Sequence, residues 1–195
     1  LFNKDFLCQF MNLYCKKASG DPVHGPYHDE EYGLPRYEES VLFELLALEI
    51  FQAGLSWEIV LKKREAIFTA FEKFEVDRVA LYKDKDIYRL LESKAIIRNK
   101  LKIRSIIENA RRIQVLRSTY GGFADFLDYY HPNKKSDWIK LFKKTFVFTG
   151  KEIVNEFLMS LGYLPGAHHP RCPVYKKVCL KNPPWMQVHS AFFDD

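Results

Sequence analysis

The chain has 195 residues, 47% hydrophobic and 15% aromatic, with 30 Lys and Arg against 25 Asp and Glu for a formal charge of +5. This length and apolar fraction suit one globular domain with a full core and exclude a disordered or fibrous chain, while the small positive balance only mildly favours an anionic partner. No apolar run approaches the ~20 residues of a membrane span, and the first residues lack the charged-then-apolar pattern of a signal peptide, so a cytoplasmic protein without a membrane partner is expected.

In chain order, GDPVHGPYHDEEYG at 20–33 reads as an irregular, histidine-bearing start. Leu42, Phe43, Leu45, Leu46, Leu48, Ile50 and Phe51 then leave hardly any polar face on a helix that Ser40 can cap, so this helix is expected to be buried nearly all round. Glu49 stands inside that apolar run. A buried carboxylate is costly unless paired, so either a Lys or Arg of the fold meets it or its partner comes from outside. Gln52-Ala53-Gly54-Leu55 is an ordinary helix–helix connection or, since small residues let backbone approach another molecule closely, a wedge in which Leu55 fills a gap.

Ser56 caps a second helix on which Trp57, Val60, Leu61, Phe68 and Phe71 recur at helical spacing, while Lys62, Lys63, Arg64 and Glu65 are expected to face water. Asp77 and Asp86 start short helices, and a longer one carries Ile103, Ile106, Ile107, Ala110 and Ile113 on one stripe. Two more helices are expected near 122–130 and 152–161, with HPNKKSD at 131–137 as a loop. There is no strand-like alternation, internal repeat or linker, which makes the fold all-α and the domain single over 1–195.

Around the start of the long helix stand Arg98, Lys100, Lys102 and Arg104, opposed only by Glu108. A basic helix is commonly a solvated face. Here the cations gather where the helix dipole prefers acids, a local frustration that a phosphate would relieve.

The four cysteines, Cys8, Cys15, Cys172 and Cys179, are too few for a disulfide scaffold and lie at the two ends. Cys15 with His28, and His168 with Cys172, together offer two thiolates and two imidazoles, the ligand set of a closed tetrahedral structural zinc site that would pin one terminus to the other. His169 can replace His168, and Cys8 or Cys179 can replace either thiolate; loop histidines and buried thiols without a metal are the plainer reading.

Taken together, PYHDEEYG (26–33), LEIFQAGLSWEIVLKKRE (48–65), AIIRNKLKI (95–103), FVFTG (146–150) and His168-x-x-x-Cys172 resemble the 3-methyladenine DNA glycosylase I family, called Tag. The resemblance implies an all-α helix-hairpin-helix fold with a family-like core over 15–180 behind an extension of residues 1–14. It further implies one structural zinc on Cys15, His28, His168 and Cys172, and monofunctional removal of alkylated adenine from double-stranded DNA. By position, Glu49 corresponds to the base-recognising carboxylate, Tyr27 and Trp57 to aromatic walls of the pocket, and Lys102 with Arg98 and Lys100 to the DNA-binding hairpin, with Gly54 and Leu55 at the wedge. His24 stands where the family has a second pocket tyrosine, Lys17 where it commonly has an aromatic, Ala95 where a glycine opens the hairpin and Tyr32 where a tryptophan is frequent. A monomer is expected. The rival reading is a non-enzymatic, zinc-stapled DNA-binding module whose pocket His24 and Lys17 have altered; a zinc hydrolase would need a ligand position left open to water.

Overall fold

The computed structural model describes residues 13–193. Among them the chain forms helices and turns and no strand. It divides into two compact units, one made of residues 36–157 and the other of the two flanks, 1–35 and 158–195.

In the central unit, α3 (Glu39–Gln52) buries every residue from Leu42 to Phe51, as a run that is apolar but for Glu44 and Glu49 dictates. It starts two residues earlier than Ser40 would allow: Glu38 takes the extended N-cap position and Ser40 lies within the first turn, so no side chain caps this end. Instead Glu39, an acid in the first turn, accepts from Arg117 Nε at 2.8 Å. Ser56 does cap α4 (Trp57–Ala70), its Oγ accepting from Ile59 N. The stripe on α4 is narrower than the spacing suggests, with Val60 and Ile67 fully buried. Arg64 turns inward, to Glu44 of α3, rather than out to water.

After a tight segment at Glu72–Phe74 come α5 (Val76–Ala80) and α6 (Asp84–Glu92). Asp77 sits in the first turn of α5, and Asp86 accepts from the Lys83 amide to close the start of α6. The long α7 (Lys100–Tyr120) buries the expected stripe of Ile103, Ile106, Ile107, Ala110 and Ile113, and packs on α3, α5, α6 and α8 (Phe123–Tyr130). The stretch expected to be a loop at 131–137 is cut short by α9 (Lys135–Thr145), whose Trp138 and Phe142 are fully buried one turn apart. Phe123, Phe126, Phe142, Phe146 and Phe157 form an aromatic cluster, each ring contributing roughly 1.5–3 kcal/mol by its burial. The helix α10 (Lys151–Ser160) contains the second crossing between units.

The flanking unit holds α1 (Leu13–Ala18), α2 (His24–Glu30), the end of α10 and α11 (Pro173–Leu180). The start expected to be irregular is thus partly helical: Asp21 Oδ1 accepts from the amides of Val23 and His24 and opens α2. Gly33, at φ +79, follows α2. A Cβ there would lie 2.7 Å from that of Ala167 and 3.3 Å from the His168 ring, so only glycine lets the 167–168 backbone approach and brings His168 back beside α2.

Candidate functional site

The flanking unit gathers Cys15, His28, His168 and Cys172, one candidate ligand atom from each lying within 4.8 Å of the others. Cys172 Sγ is 3.7 Å from His28 Nε2 and 3.6 Å from His168 Nδ1, and Cys15 Sγ is 3.9 Å from the same Nδ1. A tetrahedron with metal–sulfur bonds of about 2.3 Å and metal–nitrogen bonds of about 2.0–2.1 Å has edges of roughly 3.3–3.8 Å, so these atoms stand close to the corners a zinc ion requires. The nitrogens facing away are engaged as well: His28 Nδ1 lies 2.6 Å from Asp29 Oδ1, and His168 Nε2 lies 2.7 Å from the carbonyl of Tyr32. Each imidazole then donates outward and turns a lone pair inward, the usual support for a metal-bound histidine.

Burial holds the His168 ring below the usual histidine range, in its neutral form, and pushes the Cys15 thiol up to about 11. Of the alternative ligands, His169 is half-buried with Nδ1 accepting from the Arg171 amide, and Cys179 hydrogen-bonds with the Tyr175 side chain instead. Cys8 lies outside the described residues.

Tyr27 is buried in the same unit, its ring 5.7 Å from Tyr32. His24, expected at the base pocket, is buried against Tyr14, with Nδ1 3.4 Å from the Tyr14 hydroxyl.

The central unit positions Glu49 in the last turn but one of α3, 5% exposed. Among the described residues no donor or cation pairs with it. Burial first, and then the negative charge of Glu156, push its carboxyl well above the usual carboxylate range. Among the described residues no partner thus meets Glu49, whereas Glu44 on the same helix, equally buried, has both oxygens held by Arg64.

Beyond α3 the chain turns through Ala53, Gly54 and Leu55, closed by Leu55 N donating to Gln52 O at 2.6 Å. Gly54 has φ +79 with open space where a Cβ would stand, and Leu55 is exposed at 40%. Trp57, half-buried, begins α4.

At the start of α7, Asn99 Oδ1 accepts from the amides of Leu101 and Lys102 at 3.0 and 3.1 Å, so those helix-end donors are already used. Arg98, Lys100 and Arg104 are exposed. Lys102 corrects the sequence expectation of a phosphate contact: it is 5% exposed, and its ammonium donates to the carbonyls of Phe51 at 2.8 Å and Ala53 at 2.5 Å. A charge plot cannot tell an inward lysine from an outward one. The same holds for Lys63, which sequence reasoning left in solvent and which donates to the carbonyls of Lys94 and Ala95. Asn99 was missed too, although an Asn just before a helical pattern is a capping signal in its own right.

A family model for methyladenine glycosylases matches residues 17–140. That span contains His28, Glu49, Trp57 and the 95–103 segment and leaves Cys15, His168 and Cys172 outside. The DNA-3-methyladenine glycosylase of Haemophilus influenzae is 31% identical over 182 residues, 84% of this chain and 98% of its own. DNA-3-methyladenine glycosylase 1 of Escherichia coli is 42% identical over 113 residues, 58% of this chain and 60% of that protein. Among solved structures, a variant of 3-methyladenine DNA glycosylase I in complex with 3-methyladenine superposes with TM-score 0.75 at 34% identity, covering 82% of this chain and 96% of that one. The Staphylococcus aureus 3-methyladenine DNA glycosylase I, also at 34% identity, gives TM-score 0.75 over 82% and 95%. A chain whose described residues are all helix and turn, whose residues 17–140 fit the family model and which matches these proteins over most of its length belongs to the methyladenine glycosylase family.

Proposed function

We propose that this protein is a monofunctional DNA glycosylase that flips 3-methyladenine out of duplex DNA and hydrolyses its N-glycosidic bond. The observation that carries the reading is Glu49: a buried carboxylate with no partner among the described residues is expensive to keep. A cationic alkylated adenine supplies the missing counter-charge and N–H donors, so recognition and charge compensation are one event. Trp57 serves as a stacking face, on which a cationic base gains cation–π attraction that a normal base does not. Alkylation at N3 already makes the base a good leaving group, so binding and electrostatics do most of the work and water attacks the anomeric carbon.

No Schiff-base lysine is assigned near the turn after α3. Lys62 donates to Glu58 at 2.6 Å and Lys63 to two backbone carbonyls, so both amines are engaged. Cys15, His28, His168 and Cys172 hold one structural zinc, closed to water, which ties the two flanks of the chain together. The α6–α7 pair acts as a helix-hairpin-helix element, with Arg98 and Lys100 on phosphates and Gly54–Leu55 as the wedge that fills the gap left by the flipped base.

The test is incubation of the purified chain with methylated duplex DNA. Free 3-methyladenine should appear in solution and the strand should stay intact until alkali cleaves the abasic site. DNA binding without base release would favour the non-catalytic, DNA-binding alternative.

A further inference from the structure

Two buried or half-buried lysines of the central unit bind backbone rather than solvent, and they do so reciprocally. Lys102, on the helix that follows the 93–99 loop, grips the carbonyls of Phe51 and Ala53, where the 53–56 turn begins. Lys63, on the helix that follows the 53–56 turn, grips the carbonyls of Lys94 at 3.1 Å and Ala95 at 3.0 Å, where the 93–99 loop begins. Each loop is thus held at its start by a cation from the far side of the other. An ammonium has three donors, and two of them are spent in each case, which leaves neither lysine shaped for a phosphate.

The carbonyls at the end of α3 are orphans of the helix and its negative pole, so Lys102 satisfies both a hydrogen-bonding and an electrostatic demand there. Glu49 lies on the same final stretch of α3, and Leu55 projects from the turn that Lys102 anchors. On the other loop, Arg98 and Lys100 are the exposed cations.

We infer that Lys63 and Lys102 are positioning residues that lock the 53–56 turn and the 93–99 loop into one rigid platform, so that DNA seated on Arg98 and Lys100 fixes where Leu55 and the Glu49-bearing end of α3 stand. This rests on the glycosylase reading. Lys→Met keeps the length and volume of the stem and removes the donors. Lys94 and Ala95 are exposed, so in Lys63→Met their carbonyls turn to water and the fold survives, which gives a variant independent of the more deeply buried Lys102.

The experiment measures single-turnover release of 3-methyladenine by the full chain and by Lys63→Met, Lys102→Met and the double variant, together with the salt dependence of binding to undamaged duplex. Loss of a rigid geometry is expected to slow base release by about tenfold to a hundredfold in each single variant. The double variant should be no slower than the worse single, since either break frees the same platform. The slope of log affinity against log salt should stay unchanged, because no phosphate contact is lost. Unaltered rates, multiplicative effects, or a slope flattened by about one would overturn the inference. If the native chain releases no base, the glycosylase reading fails on its own, and amide hydrogen exchange decides the inference instead. Lys102→Met should then speed exchange at residues 93–98, to which its ammonium makes no bond, as well as at 51–56. Protection left intact at 93–98 would contradict the platform.

Discussion

Arg64 donates to both carboxylate oxygens of Glu44, Nε to Oε1 at 2.8 Å and Nη2 to Oε2 at 3.1 Å, while Glu49, further along the same buried face-all-round helix, receives nothing from the described residues. One helix therefore carries a carboxylate that Arg64 satisfies and one that no described residue satisfies. The satisfied pair ties α3 to α4. The unsatisfied group costs stability, and such a cost at a binding site is the usual trade between stability and activity.

That cost gives the first prediction. Glu49 has its pKa raised in the folded state, by burial and by Glu156, so the native state holds a proton that the unfolded chain has released. Stability then falls as pH rises from the ordinary glutamate pKa, ~4.3, through the raised one. Glu49→Gln should raise the unfolding free energy at neutral pH by roughly 1–3 kcal/mol, the scale of desolvating one buried polar group. The gain should vanish below about pH 4, where Glu49 is protonated in both states. Denaturant melts of the two proteins across this pH range check it; a less stable variant at neutral pH would show that Glu49 has a partner in the free protein.

A second prediction concerns the metal. Protein purified without added metal should contain about one equivalent of zinc by elemental analysis, and Cys172→Ser should lose it. Loss of a closed site should lower the melting temperature by roughly 6–12 °C if it costs about 3 kcal/mol in a chain of this size. A metal-free native protein with an unchanged melting temperature would leave the four side chains as an ordinary buried cluster.

The DNA surface gives a third. Arg98→Ala and Lys100→Ala should each flatten the dependence of log affinity on log salt by about one, and equally for all sequences. The inward ammonium of Lys102 sets the contrast: its removal should leave that slope alone. If Lys102→Met flattens the slope and Arg98→Ala does not, the phosphates run elsewhere.

Sequence carried α3, α4 and α7 well because their apolar patterns are long and unambiguous, and Ser56 was a capping residue that the backbone used. It carried α9 poorly. HPNKKSD is a run of turn formers, yet the helix begins at Lys135 because Trp138 and Phe142 pay for it by full burial, a tertiary gain invisible in local propensity. His24–Glu30 formed a helix for a local reason that was passed over: Asp21, within the histidine-bearing stretch, accepts from the Val23 and His24 amides. Glu49 was legible because a charge in an apolar run announces a problem that the fold or a ligand must solve, and Glu44, four residues past Ser40 in the same run, poses the same problem and is met by Arg64. The inward turns of Arg64, Lys63 and Lys102 were not, since a long cationic side chain on a half-polar face reads the same whether its head meets water, a carboxylate or an orphan carbonyl. The candidate ligand cluster of Cys15, His28, His168 and Cys172 was legible as types and open as a choice; the Gly33 approach, which no spacing rule contains, brings His168 rather than His169 beside His28.

The most direct test compares native protein and Glu49→Gln in single-turnover release of cationic 3-methyladenine and of a neutral base lesion from otherwise identical duplexes. Glutamine keeps the size and one acceptor and removes the charge. Since a charged hydrogen bond contributes about 1.5–3 kcal/mol, release of the cationic base should fall roughly 10- to 100-fold, and release of the neutral base by much less. Equal losses on the two substrates, or no loss on the cationic one, would contradict the claim that the lesion is the partner Glu49 lacks.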